Sequence, residues 1–215
     1  SERYPVLYMQ DGENVFDPRT SFAGVDWQID ETADRLIREK KIPPLIVVGI
    51  YNTADRTSEY SPGGMSSLYM DFVVDKLKPF IDRTYRTKPD RKNTMVGGSS
   101  SGGIFSFMLV WEHPDVFSKA ICMSPAFATP KGMRHSYDYA KTVANSPTPP
   151  MPVYFYVDIG GIGLDSELRP GVDEMLTTLK QKHIKFDFVS DPNARHSEAD
   201  WAKRFPNALE RTLSR

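Results

Sequence analysis

The sequence has little cysteine and no long apolar run. Its single cysteine, Cys122, cannot form a disulfide within the chain and lies in an apolar segment typical of a buried strand. No stretch approaches the roughly 18 to 20 apolar residues of a membrane span, and the first residues lack the apolar core of a signal peptide. The sequence therefore predicts no membrane span and leaves the compartment, cytoplasmic or secreted, open.

The chain also lacks an excess of charge of either sign. It carries 27 Lys and Arg against 28 Asp and Glu, for a formal net charge of −1, with both signs mixed along its length. Binding to nucleic acid or to an anionic membrane requires a broad basic surface. The charge pattern indicates neither of these partners, and it does not predict an oligomeric state.

A chain of 215 residues is long enough to bury one sizeable core, so we expect a single domain over residues 1–215. The chain begins abruptly, because a strand-like apolar run already starts at residue 6. We therefore expect that a leading segment is missing from the given sequence. We find no internal repeat and no low-complexity linker in the rest of the chain.

Six apolar, β-rich segments alternate with helical patterns. The strands are predicted at residues 6–9, 45–50, 94–97, 120–123, 153–157 and 186–189, and the helices at 26–40, 67–85, from 101, 171–183 and 197–213. This alternation predicts an α/β fold with a mostly parallel sheet and helices on both faces. Pro79 should bend the second helix. The proline-rich residues 124–152 form either an excursion that caps the reactive end of the sheet or a plain surface loop.

The pentapeptide at residues 98–102, Gly-Ser-Ser-Ser-Gly, matches the pattern G-x-S-x-G with Ser100 at its centre. In this motif the serine lies on a sharp strand-to-helix turn, and small flanking residues let the two elements approach each other. The alternative is a flexible Gly/Ser linker, but apolar segments flank the pentapeptide on both sides. The context favours a turn on which Ser100 is a nucleophile.

A serine hydroxyl needs a general base, and the base needs an acid that orients it. His196 follows the last predicted strand, whose carboxyl end should bring it to Ser100, whereas the other histidines lie elsewhere: His113, His135 and His183. The acid should follow the preceding strand, where Asp158, Asp165 and Glu167 are alternatives. We favour Asp165, because a glycine-rich loop before it would let it reach across to the histidine.

Acyl transfer also requires two N–H donors that stabilise the oxyanion. The first is the backbone N–H of Ser101, which follows the predicted nucleophile. The second should come from residues 10–14 after the first strand, where Gly12 permits the backbone to turn inward.

Substrate contacts are predicted on the loop after the second strand and at two tryptophans. Arg56 and Tyr60 should lie on the rim of the site, where Arg56 either binds a carboxylate or sugar oxygen or is simply solvated. Trp27 and Trp201 either form apolar or sugar-stacking walls or pack in the core.

Several of these segments resemble one family over nearly the whole chain. They are residues 4–12 (Tyr-Pro-Val-Leu-Tyr-Met-Gln-Asp-Gly), the serine turn with Gly102 and Gly103, residues 113–117 (His-Pro-Asp-Val-Phe), residues 124–126 (Ser-Pro-Ala), and His196 followed by Trp201. The sequence is similar to the esterase D (putative esterase) family of α/β-hydrolases, which includes feruloyl, acetylxylan and enterochelin esterases and the mycolyltransferases.

The resemblance implies an α/β-hydrolase fold, with Ser100, Asp165 and His196 as the catalytic triad and Glu13 as the second oxyanion donor. The family usually has one or two strands before the segment at residues 4–12, so this chain is expected to lack them. Its acid loop, residues 158–165, is longer than the family's usual turn.

These inferences predict a serine esterase that needs no cofactor or metal and acts through an acyl-enzyme on carbohydrate-linked or aryl esters. A siderophore trilactone esterase and an acyltransferase with the same triad are alternatives, and a non-catalytic binding protein is the non-enzyme alternative. A metal hydrolase is not indicated, since there is no H-E-x-x-H motif and no calcium-loop spacing.

Overall fold

The structure is a computed structural model, which describes residues 2–129 and 136–215. These residues contain one six-stranded sheet with the order β2-β1-β3-β4-β5-β6. The strands are β1 Val6–Gln10, β2 Ile46–Ile50, β3 Thr94–Ser99, β4 Lys119–Met123, β5 Tyr154–Ile162 and β6 Lys185–Arg195. All neighbouring pairs run parallel, so the predicted parallel sheet and its six strands are confirmed.

Helices cover both faces of the sheet. They are α1 Ile29–Arg38, α2 Arg56–Tyr60, α3 Ser66–Asp71, α4 Lys78–Thr84, α5 Ser100–Glu112, α6 Tyr139–Asn145, α7 Leu164–Gln181 and α8 Glu198–Leu213, with 3-10 turns at Gly12–Asn14 and Arg91–Asn93. Buried side chains of α1 and α8 share one apolar cluster with the sheet, and those of α2 to α7 share the other. None of the helices in the described part of the chain has the length and hydrophobicity of a membrane span.

Pro79 interrupts the helix that was predicted over residues 67–85. The chain forms α3, a π-helical segment at Phe72–Leu77, and then α4, with Pro79 in the first turn of α4. Because proline has no N–H, it cannot donate to the carbonyl four residues earlier, which lies inside the π-helical segment. The expected distortion therefore takes the form of a local widening of the helix.

The glycine-rich residues before Asp165 are not the loop that the sequence predicted. Gly160 to Ile162 extend β5, and Ile162 pairs with Arg195 of β6 after a register irregularity. The following helix, α7, begins at Leu164 instead of residue 171 and contains Pro170. Asp165 therefore lies in the first turn of a helix, because pairing with the long strand β6 keeps the glycines in the sheet.

Two short helices, α2 and α6, were not predicted. Helix α6 lies inside the proline-rich segment at residues 124–152, whose described parts also pair through a bridge between Ala128 and Asp138. Residues 130–135 of that segment, including the candidate His135, lie outside the described residues.

Phe107, in the middle of α5, is at the centre of an aromatic cluster. Its ring centroid lies 4.2 Å from that of Phe155 on β5, 5.2 Å from Phe127, 5.7 Å from Trp111 and 6.1 Å from Tyr139. Phe107 is 0 % exposed, so all of its apolar surface is removed from water. This cluster holds the helix that carries Ser100 against the sheet.

Phe107→Ala should destabilise the protein by about 3–5 kcal/mol, because it leaves a cavity in this cluster. Phe22→Ala is the matched control: Phe22 is 92 % exposed, and its truncation should change stability by less than about 0.5 kcal/mol. Guanidinium unfolding curves measure both values. Equal losses in the two variants would contradict this description of the core.

Candidate active site

Ser100 lies at the sharp turn between β3 and α5. Its φ of 54° is in the left-handed region, which non-glycine residues rarely adopt. A β-carbon on Gly98 would lie 2.7 Å from the carbonyl oxygen of Gly102, so the chain can close this turn only with glycine at position 98. The strand-to-helix turn that the G-x-S-x-G pattern predicts is thus present, at the carboxyl end of a central strand.

Asp165 and His196 are joined by a short hydrogen bond. The Nδ1 atom of His196 lies 2.5 Å from Oδ1 of Asp165. Asp165 is fully buried in the first turn of α7, and His196 follows directly after β6. The other carboxylate oxygen, Oδ2, accepts hydrogen bonds from Ser124 Oγ at 2.9 Å and from the N–H of Gly160 at 2.7 Å.

Burial by itself would raise the pKa of Asp165. Hydrogen bonds and charge from His196, together with the hydrogen bonds from Ser124 and Gly160, outweigh burial and lower the pKa of this carboxyl below its ordinary value. The carboxylate therefore stays ionised at neutral pH and accepts the Nδ1 proton of His196. This hydrogen bond leaves Nε2 of the imidazole as the basic nitrogen.

Ser100 and His196 line the same cavity, which has a volume of about 410 Å³. The other lining residues are Asp11, Glu13, Asn14, Phe22, Asn52, Arg56, Ser99, Glu198 and Trp201. The hydrogen bonds of the described residues do not include one from Ser100 to His196. A larger cavity of about 760 Å³ lies at the opposite end of the sheet, and none of the predicted catalytic residues lines it.

The two predicted oxyanion donors lie next to this cavity. Ser101 is the second residue of α5, and N–H groups in the first turn of a helix have no partner within the helix. Glu13 lies in the 3-10 turn that follows the left-handed residue Asp11. The Glu13 carboxylate accepts hydrogen bonds from the N–H and the side-chain amide of Asn52. Only the backbone N–H of Glu13 is therefore a candidate oxyanion donor.

Arg56 lines the cavity, but Asp11 already occupies its guanidinium. Nε and Nη2 of Arg56 donate to the two carboxylate oxygens of Asp11 at 2.6 and 2.7 Å. The guanidinium also lies 5.0 Å from the ring centroid of Tyr60. Tyr60 itself is fully buried, and its hydroxyl accepts the N–H of Asp11. Arg56 is therefore neither solvated nor free to bind a substrate carboxylate, because it is paired with Asp11. Tyr60, which was predicted to lie on the rim of the site, is buried beneath it.

The two tryptophans form a buried pair with centroids 5.6 Å apart. Trp201 lines the cavity, and its ring contacts the imidazole of His196 edge-on at 4.9 Å. Trp27 lies behind it in the apolar core, against Phe205, and is not among the lining residues. Trp27 therefore packs in the core and does not form a wall of the cavity.

The other two candidate acids have different surroundings. Asp158 is fully buried in the middle of β5, beside Met123 at the carboxyl end of β4, and Arg204 of α8 donates to it from Nε at 3.2 Å and Nη2 at 3.1 Å. Glu167 is exposed on α7. Neither of them hydrogen-bonds to His196 among the contacts of the described residues, whereas Asp165 does.

Ser124 and Arg204 are polar residues next to the site that were not predicted to belong to it. Ser124 appears in the Ser-Pro-Ala motif, and its position just after the fourth strand is the only signal in the sequence. A buried arginine on the last helix gives no local signal, since only the folded chain brings Arg204 to Asp158.

One group of described residues could chelate a cation. Asp26, Asp30 and Glu31 place carboxylate oxygens within 4.8 Å of one another at the start of α1. Asp30 and Glu31 are exposed, and none of the three lines the cavity of Ser100.

A protein-family model described as "Putative esterase" matches residues 1–212. A curated relative, the endo-1,4-beta-xylanase/feruloyl esterase of Xylanibacter ruminicola, is 26% identical over 212 residues, which cover 94% of this chain and 25% of the relative. Ferri-bacillibactin esterase BesA of Bacillus subtilis is 26% identical over 147 residues, which cover 57% of this chain and 48% of the relative. This chain thus spans a quarter to a half of the length of these relatives.

Solved structures share the fold. A ferulic acid esterase superposes with a TM-score of 0.76 at 19% identity, over 100% of this chain and 86% of that one. The enterobactin esterase FES from Shigella flexneri superposes with a TM-score of 0.80 at 14% identity, over 100% of this chain and 53% of that one. The sheet and the helices around it therefore have the same fold as these two solved structures.

The buried ion pair between Asp158 and Arg204 predicts that the stability of the fold depends on pH. Burial raises the pKa of Asp158 to about 6 even though Arg204 acts in the opposite direction. A folded-state pKa above the unfolded value means that the folded protein binds more protons, so this group stabilises the fold at low pH and loses that contribution as the pH rises through 6. Asp158→Asn removes the titration.

The unfolding free energy of the wild type relative to Asp158→Asn should therefore fall by about 2 kcal/mol between pH 4.5 and 7. Urea unfolding at a series of pH values measures this difference. Asp115→Asn, which removes one exposed carboxylate, is the charge-matched control. A difference for Asp158→Asn that changes with pH no more than the difference for Asp115→Asn would contradict the raised pKa.

Proposed function

Because the chain belongs to the family described as "Putative esterase", we propose that it is a serine carboxylic-ester hydrolase that uses Ser100, His196 and Asp165. The observation that carries this proposal is the shared cavity of Ser100 and His196, with the imidazole held by Asp165 at 2.5 Å. The left-handed turn at Ser100 supports the same role, since strain of this kind presents the hydroxyl to the cavity.

The reaction follows from these positions. His196 Nε2 accepts the proton of Ser100 as Oγ attacks the ester carbonyl carbon, and the N–H groups of Ser101 and Glu13 stabilise the oxyanion. The imidazolium then gives its proton to the leaving alcohol, and the acyl group stays on Oγ. Water, deprotonated by His196, attacks the acyl-enzyme and releases the acid and the free serine.

Asp165 has two functions in this scheme. It accepts the Nδ1 proton of His196, which fixes the tautomer that has a free lone pair on Nε2. Its negative charge also stabilises the imidazolium that forms in each half of the reaction. Since its hydrogen bonds lower the pKa of Asp165, the carboxylate keeps this charge in weakly acidic solution.

The charges around the cavity favour a neutral ester as substrate. Three carboxylates line it, from Asp11, Glu13 and Glu198, and Arg56 is the only permanently positive residue among the described lining residues. Arg56 and Asp11 neutralise each other, which leaves the carboxylates of Glu13 and Glu198 without a cationic partner among the lining residues that the structure describes. An iron(III)–catecholate complex is anionic, so this lining disfavours the substrates of siderophore esterases, whereas a feruloyl ester linked to carbohydrate is neutral.

An exposed aromatic side chain on the rim supports an aromatic acyl group. Phe22 lines the cavity and is 92 % exposed, the largest exposure among the large apolar side chains of the described residues. Its ring is available to stack on the ring of an aryl ester. The similarity of 94% of this chain to a quarter of an endo-1,4-beta-xylanase/feruloyl esterase supports the same class of substrate.

Ser100→Ala should lower kcat for an activated aryl ester by about 10⁴-fold or more, because no other group can form the acyl-enzyme. Burst kinetics and labelling with a fluorophosphonate should both disappear, while the thermal melt changes little. Ser106→Ala, a buried serine of the same helix, is the control and should keep most of the activity. Full activity or labelling in Ser100→Ala would refute the assignment of Ser100 as the nucleophile.

Product analysis of the wild-type reaction with added sugars separates hydrolysis from acyl transfer.

The wild type should hydrolyse a neutral feruloyl ester with at least about tenfold higher kcat/KM than a ferric catecholate siderophore. Glu198→Gln should raise kcat/KM for the siderophore about two- to fivefold, as expected for removal of one nearby solvated charge, and leave the neutral ester unaffected. Glu167→Gln removes an exposed acid outside the cavity and should change neither value. Preference for the siderophore in the wild type would contradict the proposed substrate.

A further inference from the structure

Ser124 is the centre of a buried hydrogen-bond network behind the Asp165–His196 pair. It follows directly after β4, is 0 % exposed and has a left-handed φ of 43°. Its Oγ accepts hydrogen bonds from Arg204 Nη2 at 2.8 Å and from Trp201 Nε1 at 3.1 Å. It lies 2.9 Å from Asp165 Oδ2.

The two donors determine where the hydroxyl proton of Ser124 points. A hydroxyl has one proton and two acceptor lone pairs, whereas guanidinium and indole N–H groups can only donate. With Arg204 and Trp201 on the lone pairs, the proton of Ser124 is available only to Asp165. Ser124 is therefore a fixed donor to this carboxylate.

This donation fixes the rotation of the Asp165 carboxylate. Ser124 Oγ and the N–H of Gly160 both donate to Oδ2, so that oxygen is held inside the fold. Oδ1 is left to face His196 Nδ1 at 2.5 Å. A carboxylate without these two donors could rotate and offer the imidazole a poorer acceptor.

Arg204 is itself held in place by Asp158. Arg204 is 7 % exposed, and its Nε and Nη2 atoms donate to Asp158. The same Nη2 atom also donates to Ser124. The chain of contacts runs from Asp158 through Arg204 and Ser124 to Asp165, so it connects β5, α8, the end of β4 and α7. Each member is polar and buried, so the loss of any one of these contacts leaves a buried polar group unpaired.

We propose that Ser124 is a positioning residue for the proposed esterase reaction, which orients Asp165 so that His196 keeps its Nδ1 proton and presents Nε2 to Ser100. Arg204 and Trp201 act through Ser124, by committing its hydroxyl proton to Asp165. This proposal rests on the proposed function for its effect on rate, but the network itself can be tested without turnover.

The kinetic test is a double-mutant cycle of Ser124→Ala and Asp165→Ala with an activated aryl ester. Ser124→Ala should lower kcat about 10- to 100-fold, as expected for loss of a hydrogen bond to a charged group, with little change in KM. In the Asp165→Ala background the same substitution should have almost no further effect on kcat, because Ser124 acts only through Asp165.

Ser118→Ala is the matched control. Ser118 is also a buried serine, but its hydroxyl has no hydrogen-bond partner among the described residues, and it lines the cavity at the opposite end of the sheet. It should leave kcat unchanged in both backgrounds. An unchanged kcat in Ser124→Ala, or an equal loss with and without Asp165, would overturn the proposal.

Ser124→Gly provides a second variant if the alanine variant fails to fold. Glycine adopts a left-handed φ without strain, so this variant removes the hydroxyl and relaxes the backbone at the same position. The same pattern of kcat values is expected from it.

The proton between His196 Nδ1 and Asp165 Oδ1 gives a readout that does not depend on activity. Its low-field NMR resonance, assigned by its loss in Asp165→Ala, should shift and broaden in Ser124→Ala or Ser124→Gly and stay unchanged in Ser118→Ala. An unchanged resonance would refute the positioning role. Absence of Ser100-dependent hydrolysis in the wild type would instead refute the proposed function, and the resonance would still test the network.

Discussion

The buried carboxylate of Asp165 imposes the strictest constraint on this part of the fold. An ionised group that is removed from water costs several kcal/mol unless charge and hydrogen bonds replace its hydration. Asp165 is 0 % exposed, and three groups supply that replacement: the imidazole of His196, the hydroxyl of Ser124 and the N–H of Gly160. They come from three different parts of the sheet, so the ends of β4, β5 and β6 must meet around one side chain.

The long pairing of β5 with β6 follows from this constraint. A β-carbon at Gly160 would lie 2.2 Å from Asp165 Oδ2, so only glycine lets the strand pass close enough to donate its N–H. Pairing continues to Ile162 and Arg195, which brings the chain to His196 at the level of Asp165. The glycine-rich segment is therefore part of the sheet. The length of β5 and β6, and not a flexible loop, brings Asp165 and His196 together.

The serine turn could be predicted from sequence because everything it requires is local. The apolar strand β3, the apolar helix α5 and the flanking glycines lie within a few residues of Ser100, and the same locality made the six strands predictable. The start of α7 could not be predicted, because β6 keeps residues 160–162 in the sheet and β6 lies far along the chain. Arg56 and Ser124 illustrate the same limit, since the first is paired with Asp11 and the second is enclosed by Arg204 and Trp201 only in the folded chain.

Two buried acids seven residues apart have opposite electrostatic surroundings. Burial dominates at Asp158 and raises its pKa to about 6, although Arg204 is paired with it, whereas the donors around Asp165 lower its pKa. Divergent pKa values of neighbouring acids are a common sign that they have different tasks. Asp158 neutralises a buried arginine, and this arginine then donates to Ser124. The acid that does not contact His196 thus supports the one that does, which explains why both carboxylates are buried at the same end of the sheet.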